Sequence, residues 1–280
     1  MTGITGISFQ RHFLSRKINA DNLVQLSYGR RITRPTFNEM APFVFYSDPF
    51  TFFAGNENIL PTYTNNIKTD YSYKRMIFSV QHSMDNDVIA QFQPTLHEET
   101  NTTFLRTENI DHRQTVSIIV AFPLQLTSWW ETQNNFTANY QKVNSELNGE
   151  AYAVDQTGIQ VVLTNSFTLP KKYTIELMGY YMSPSIMGYY QVLSRGFLNL
   201  GIQKDFQKAG MLRLSFNDIL ETSQLRWRSF DGADLEITGR LKFEKRVFMA
   251  TYTYKFGNSK IKGTRDRKVG SQEEQRRVTN

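Results

Sequence analysis

Cysteine is absent from this chain of 280 residues, and histidine occurs only 4 times. The first absence removes disulfides and thiolate metal sites. The second leaves His12, His82, His97 and His112 too far apart to suggest a metal centre from spacing, so no metal and no cofactor is expected. No stretch reaches the roughly 18 uninterrupted apolar residues of a transmembrane helix. Excess charge is also scarce: of the net +6, residues 257–280 supply +4, with seven Lys/Arg against three Asp/Glu. The remainder is nearly balanced, which argues against a nucleic-acid partner. No nucleophile elbow or acid–base arrangement is legible, so the chain is not expected to be an enzyme.

What is abundant is aromatic side chain: 21 Phe, 14 Tyr and 3 Trp. Many of them alternate with polar residues. In Val247–Phe256, Phe248, Ala250, Tyr252, Tyr254 and Phe256 form one face, and Met249, Thr251, Thr253 and Lys255 the other. Ile67, Thr69, Tyr71 and Tyr73 alternate with Lys68, Asp70, Ser72 and Lys74, and Val116, Ile118, Val120 and Phe122 make another such face. A strand with one apolar, aromatic face and one polar face fits a wall between lipid and water. Only a closed sheet satisfies every backbone group in hydrocarbon. The fold class expected is therefore all-β, an antiparallel transmembrane β-barrel of outer-membrane type, with outer-membrane lipid around it.

About 13 strands are expected, near 7–14, 23–29, 66–73, 76–82, 87–93, 101–106, 115–122, 130–140, 159–168, 173–182, 197–206, 211–217 and 247–256. Their connections alternate in length. Tyr73–Met76, Leu169–Lys172 and Gln207–Gly210 are tight turns, whereas 31–63, 141–157, 183–195 and 218–246 are long. Short turns on one rim and long loops on the other mark outer-membrane barrels. Residues 222–243 are expected to form a hairpin on the long-loop rim, and Met84–Asp87 a solvated turn. Lys204, on an apolar face, is placed at the interface with its amine reaching out of the lipid. Barrel portion 1–256 and a basic periplasmic tail 257–280 divide the chain, the tail carrying a capping-box pattern at Ser271–Glu274 that suggests a short helix.

Several motifs occur together and in order. Leu26-Ser-Tyr-Gly-Arg-Arg-Ile-Thr-Arg-Pro35 precedes Ala41-Pro-Phe, Asp48-Pro-Phe and Gly55-Asn-Glu-Asn-Ile-Leu-Pro61; Ser215-Phe-Asn-Asp-Ile-Leu220 and Thr251-Tyr-Thr-Tyr-Lys-Phe-Gly257 follow. This series resembles the barrel of TonB-dependent outer-membrane receptors, most of all the outer membrane β-barrel family that follows a carboxypeptidase-regulatory-like domain. Thr62 stands where the family usually has an acidic residue. The resemblance implies a barrel of about 22 strands around a plug, energy coupling through the TonB system, and uptake of a scarce ligand such as a siderophore, oligosaccharide or peptide. Met1–Phe9 lacks the basic start and apolar core of a secretory signal, and neither a plug nor a coupling box is visible. The chain is thus expected to be the distal part of a receptor, completed by the plug and upstream strands of the same protein. A passive porin or adhesin barrel is the alternative.

The long loop 31–63 is the sharpest candidate for ligand binding. Phe43, Phe45, Tyr46, Phe50, Phe52 and Phe53 lie there between prolines that limit its freedom. Aromatic faces of this kind stack on sugars, chelator rings or apolar ligands. They serve equally to hold a long loop folded, or to sit in an aromatic girdle.

Overall fold

A computed structural model describes residues 11–97, 99–147, 150–230, 236–243 and 246–256. The basic tail 257–280, its expected helix and residues 7–10 of the expected first strand lie outside the described residues. In chain order the elements are β1 (Arg11–Lys17), β2 (Asn22–Thr33), α1 (Phe37–Met40), β3 (Val44–Asp48), β4 (Thr51–Ala54), β5 (Thr62–Tyr73), β6 (Met76–His97), β7 (Thr102–Gln125), β8 (Trp130–Leu147), β9 (Glu150–Leu169), β10 (Tyr173–Met182), β11 (Ser185–Met187), β12 (Tyr190–Val192), β13 (Arg195–Asp205), β14 (Met211–Asn217), β15 (Gln224–Ser229), β16 (Thr238–Lys242) and β17 (Val247–Thr253). No helix of the described residues is long and apolar enough to cross a membrane.

Thirteen strands form one sheet; with β3 and β4 off the path, eleven run side by side in the order β1-β2-β5-β6-β7-β8-β9-β10-β13-β14-β17. All of these neighbours are antiparallel. Among the described residues the wall is open, because β1 and β17 end the path without pairing with each other. A second sheet of four short strands, β11-β12-β15-β16, comes from the two later long connections.

Register carries the alternation across the wall. Leu26, Thr69, Val80, Ile118, Ala138 and Ile159 are successive cross-strand partners. The adjacent row of the opposite face reads Ser27, Lys68, Gln81, Ser117, Asn139 and Gly158. One-residue slippage would exchange the two faces, so burial of one face in lipid pins the register. Ion pairs lie on the polar face: Lys68–Asp70 at 2.8 Å, Arg113–Asp85 at 3.0 Å and Arg213–Glu176 at 2.9 Å. At the short-turn rim the Lys204 amine sits 3.9 Å above the Tyr173 ring and donates to the Lys171 carbonyl, clear of the mid-bilayer.

The connections 34–61, 183–194 and 218–246 are long as expected, and β15 pairs with β16 as the expected hairpin. The alternation does not hold throughout, because β6 to β7 and β8 to β9 are short connections between extended strands. The thirteen strands, however, are not those of the sequence reading. Segments 76–82 and 87–93 are one strand, β6, and 101–106 and 115–122 are one strand, β7; β3 and β4 inside the long loop restore the number. Met84–Asp87 is no turn but part of β6, where Asp85 and Asn86 find cross-strand partners. Asp85 pairs with Arg113 and accepts from Thr64 Oγ1 at 2.6 Å, while Asn86 Oδ1 lies 2.9 Å from His112 Nδ1. Residues 141–157, expected as a loop, belong to the hairpin of β8 and β9, in register from Gln141–Gln156 to Leu147–Glu150. Beyond the bilayer neither face meets lipid, so the apolar alternation lapses although the strands continue.

The four strands β6 to β9 hold 22, 24, 18 and 20 residues. About 9–11 residues cross a bilayer. These four therefore rise well above the long-loop rim, and the long connections fold against that rise.

Candidate vestibule on the long-loop rim

The long loop is built onto the tall part of β7. Strand β8 pairs with β7 from His112 to Gln125, leaving the edge of Thr103–Arg106 free for β4, which joins it in parallel. The Thr103 N–H also donates to the Phe50 carbonyl at 2.8 Å. Short α1 is closed by a capping box, Thr36 and Glu39 bonding each other's backbone N–H. Glu39 reaches further, accepting from Gln91 Nε2 at 2.8 Å and so tying the loop to β6.

Register divides the candidate aromatics between two faces. Tyr46, Phe52 and Phe104 are in line, with ring centroids 5.2 and 5.0 Å apart. Phe45, Phe53 and Leu105 form the other face. Phe43, Phe45 and Phe53 line a cleft of about 610 Å³ with Gln91, Phe92 and Leu105. Phe50 is exposed at the β3–β4 turn, where its N–H donates to Asp48 at 2.9 Å. The six residues are thus not gathered in one pocket: three line the cleft, Tyr46 and Phe52 stack on its far side, and Phe50 stands apart.

Beyond Phe53 lies a larger cavity of about 880 Å³, sharing Phe53, Gln91, Phe92 and Leu105 with the cleft. Phe53 and Phe92 meet edge to face at 5.7 Å between the two. Val88, Ile110 and Val143 of the tall strands make one side, and Leu225, Trp227 and Leu241 of the small sheet the other. Val88, Ala90, Ile110, Val143, Ile186 and Tyr189 form the buried cluster beneath it.

Two devices that the sequence reading did not assign hold this arrangement. The first is the strap Gly55–Thr62. Asn56 Nδ2 donates to Glu108 Oε2 at 3.1 Å, and the Leu60 N–H to Asn109 Oδ1 at 2.8 Å. Thr62 Oγ1 donates to the Asp87 carbonyl and accepts from the Ile89 N–H, both at 2.9 Å. Gly55 is required because a Cβ there would lie 2.2 Å from the Ala41 carbonyl oxygen. Burial of Glu108 pushes its carboxyl above the ordinary range, against the opposing pull of Arg106 and Asn56.

The second device is the tip of the β11–β12 hairpin. A bulge between Ala90 and Gln93 turns the fully buried Gln93 side chain inward, where its Oε1 accepts from the Tyr189 N–H at 2.8 Å. Tyr190 Oη donates to the Phe92 carbonyl at 2.9 Å and Tyr189 Oη to the Glu146 carbonyl at 2.6 Å. Gly188, at φ +59°, packs on the Gln93 amide where no Cβ fits. Burial raises the pKa of Tyr189 and Tyr190, keeping both hydroxyls protonated as donors. The Gly-Tyr-Tyr run was the visible signal, but nothing local tied it to residues so distant in sequence. Among the described residues no group of three His, Asp or Glu is placed to hold a metal ion.

The model of the outer membrane protein beta-barrel family matches residues 11–254. The chain belongs to that family. It is accordingly an outer-membrane protein, and its open antiparallel wall is β-barrel structure. No curated protein sequence matches it. Among solved structures, the siderophore receptor PirA from Pseudomonas aeruginosa superposes with a TM-score of 0.56 at 12% identity, over 76% of this chain and 38% of that one. The ferric enterobactin receptor PfeA of the same organism, solved as a mutant with enterobactin, gives 0.46 at 12% identity over 76% and 35%. PfeA solved with BCV-L6 gives 0.47 at 12% over 75% and 35%. The likeness to PirA is one of fold, and this chain spans 38% of that receptor's length.

Proposed function

We propose that this chain forms part of an outer-membrane receptor barrel that takes up a scarce ligand with energy supplied through TonB. The observation that carries this reading is the roofed vestibule. Four strands continue far beyond the bilayer, and the long connections fold against them to border a partly covered apolar cavity. A passive pore gains nothing from such a roof, whereas a receptor needs a concave, largely preformed site. The resemblance to TonB-dependent receptors in sequence motifs supports the same reading, as does the barrel of PirA in fold. In the complete protein the polar inner face, with its ion pairs, packs around a plug, and upstream strands cover the free edges of β1 and β17. Phe43, Phe45 and Phe53 are the first aromatic surfaces a ligand meets in the cleft; Tyr46 and Phe52 stiffen the hairpin that presents them.

The test uses the full-length protein in its own membrane. Replacing residues 43–53 by a Gly-Ser linker should abolish growth on the limiting nutrient while leaving a heat-modifiable barrel in the outer-membrane fraction. Collapse of the proton-motive force should stop uptake by the unmodified protein. Uptake that continues unchanged after collapse would instead identify a passive channel.

A further inference from the structure

We propose, resting on the receptor reading above, that the 880 Å³ cavity takes an uncharged ligand: an aromatic or aliphatic body carrying a few amide or hydroxyl groups. The volume falls within the roughly 300–1,000 Å³ of small-ligand sites. Its walls are apolar on both sides, with Val88, Ile110 and Val143 facing Leu225 and Trp227. Flat ring surfaces at Phe53, Phe92 and Trp227 suit stacking against an aromatic group or the apolar face of a sugar.

Charge decides the class. Among the described residues Arg113 is the one charged member of the lining, and its guanidinium is engaged 3.0 Å from the buried Asp85 carboxylate. That pair neutralises itself, so neither an anion nor a cation entering the cavity finds an unengaged counter-charge. Arg226, Arg228 and Arg240 stand nearby but alternate with the lining residues Leu225, Trp227 and Leu241 and do not line the cavity. Gln191 Oε1 and Gln224 Oε1 accept from the Nε groups of Arg228 and Arg240. A multiply anionic chelate or an acidic saccharide would therefore be buried unpaired, which is strongly unfavourable. A neutral ligand loses only its hydration, and the amides of Gln91 and Gln141 in the lining both donate and accept.

Two matched probe pairs test this by calorimetry on the full-length receptor in detergent: acetyl-Leu-Phe-Leu-amide against acetyl-Glu-Phe-Glu-amide, and p-nitrophenyl glucoside against p-nitrophenyl glucuronide. At least one neutral probe should bind ten times or more tighter than its acidic counterpart. Trp227→Ala should weaken that probe about tenfold. Leu241→Lys, at a half-exposed lining position, should narrow the preference by strengthening the acidic probe. Equal or tighter binding of the acidic probes to the unmodified protein overturns the assignment, and so does failure of all four to bind. Binding in detergent needs no energised membrane. A wrong charge preference would thus remove this assignment while leaving energy-coupled uptake standing, and passive uptake would remove the receptor reading while leaving the probe selectivity intact.

Discussion

The Tyr189 backbone N–H donates to Gln93 Oε1 at 2.8 Å across 96 residues of sequence, and the glutamine side chain is wholly buried. This contact fastens the roof of the vestibule to its wall. Gln93→Ala leaves a buried donor without a partner, a loss of about 1–3 kcal/mol. The expected outcome is faster hydrogen exchange across 185–192 with exchange in β13 and β14 unchanged. Protection in the hairpin equal to that of the unmodified protein would show that the contact holds nothing.

Gly55→Ala attacks the strap. Its new methyl group would sit 2.2 Å from the Ala41 carbonyl oxygen, and backbone cannot yield as a flexible side chain does. We expect a loss of about 1–3 kcal/mol, read as earlier proteolytic cleavage within 34–61, while the barrel keeps its heat-modifiable migration.

Glu108 makes the strap sensitive to pH. Its folded pKa lies above the ordinary 4.5, so the folded strap binds a proton more tightly than the opened one. The stability this contributes is complete below 4.5 and is lost as pH rises through the folded value. Exchange protection of 55–62, corrected for intrinsic rates, should therefore fall from pH 4 towards neutrality and show a flatter profile in Glu108→Gln.

The two faces of the wall should respond oppositely to charge. Ile118 lies in the apolar row beside Val80 and Ala138, and its neighbour Ser117 in the polar row beside Gln81 and Asn139. Ile118→Arg is expected to cost about 2–4 kcal/mol at mid-bilayer and to reduce the amount recovered in the outer membrane. Ser117→Arg should leave that amount unchanged. Equal losses at both positions would contradict the assignment of the faces.

Within the bilayer the fold was legible, because lipid on one side and water on the other impose a period of two on Ile67–Tyr73 and Val247–Phe256 alike. Tight turns were legible too, since Pro170 and Gly210 mark them locally. Above the bilayer that constraint disappears. Met84–Asp87 reads as a turn because its partners, Arg113 and His112, are supplied by another strand. The same loss of pattern hid the upper parts of β8 and β9. For the candidate site, the sequence marked the aromatic loop but not its two faces, which follow from β4 docking in parallel on β7. The cavity's second side was invisible, since Trp227 and Val143 line it from strands far apart in sequence and in different sheets.

The uneven height of the wall has a consequence for whatever reaches the cell from outside. Strands β6 and β7 form a crest, with the aromatic β3–β4 hairpin clipped to its flank. An antibody or a phage fibre arriving from the medium encounters that crest ahead of the lower strands. A substitution beside Phe53 or Phe92 that loosens such an external contact therefore also reshapes the wall that the cleft and the cavity share.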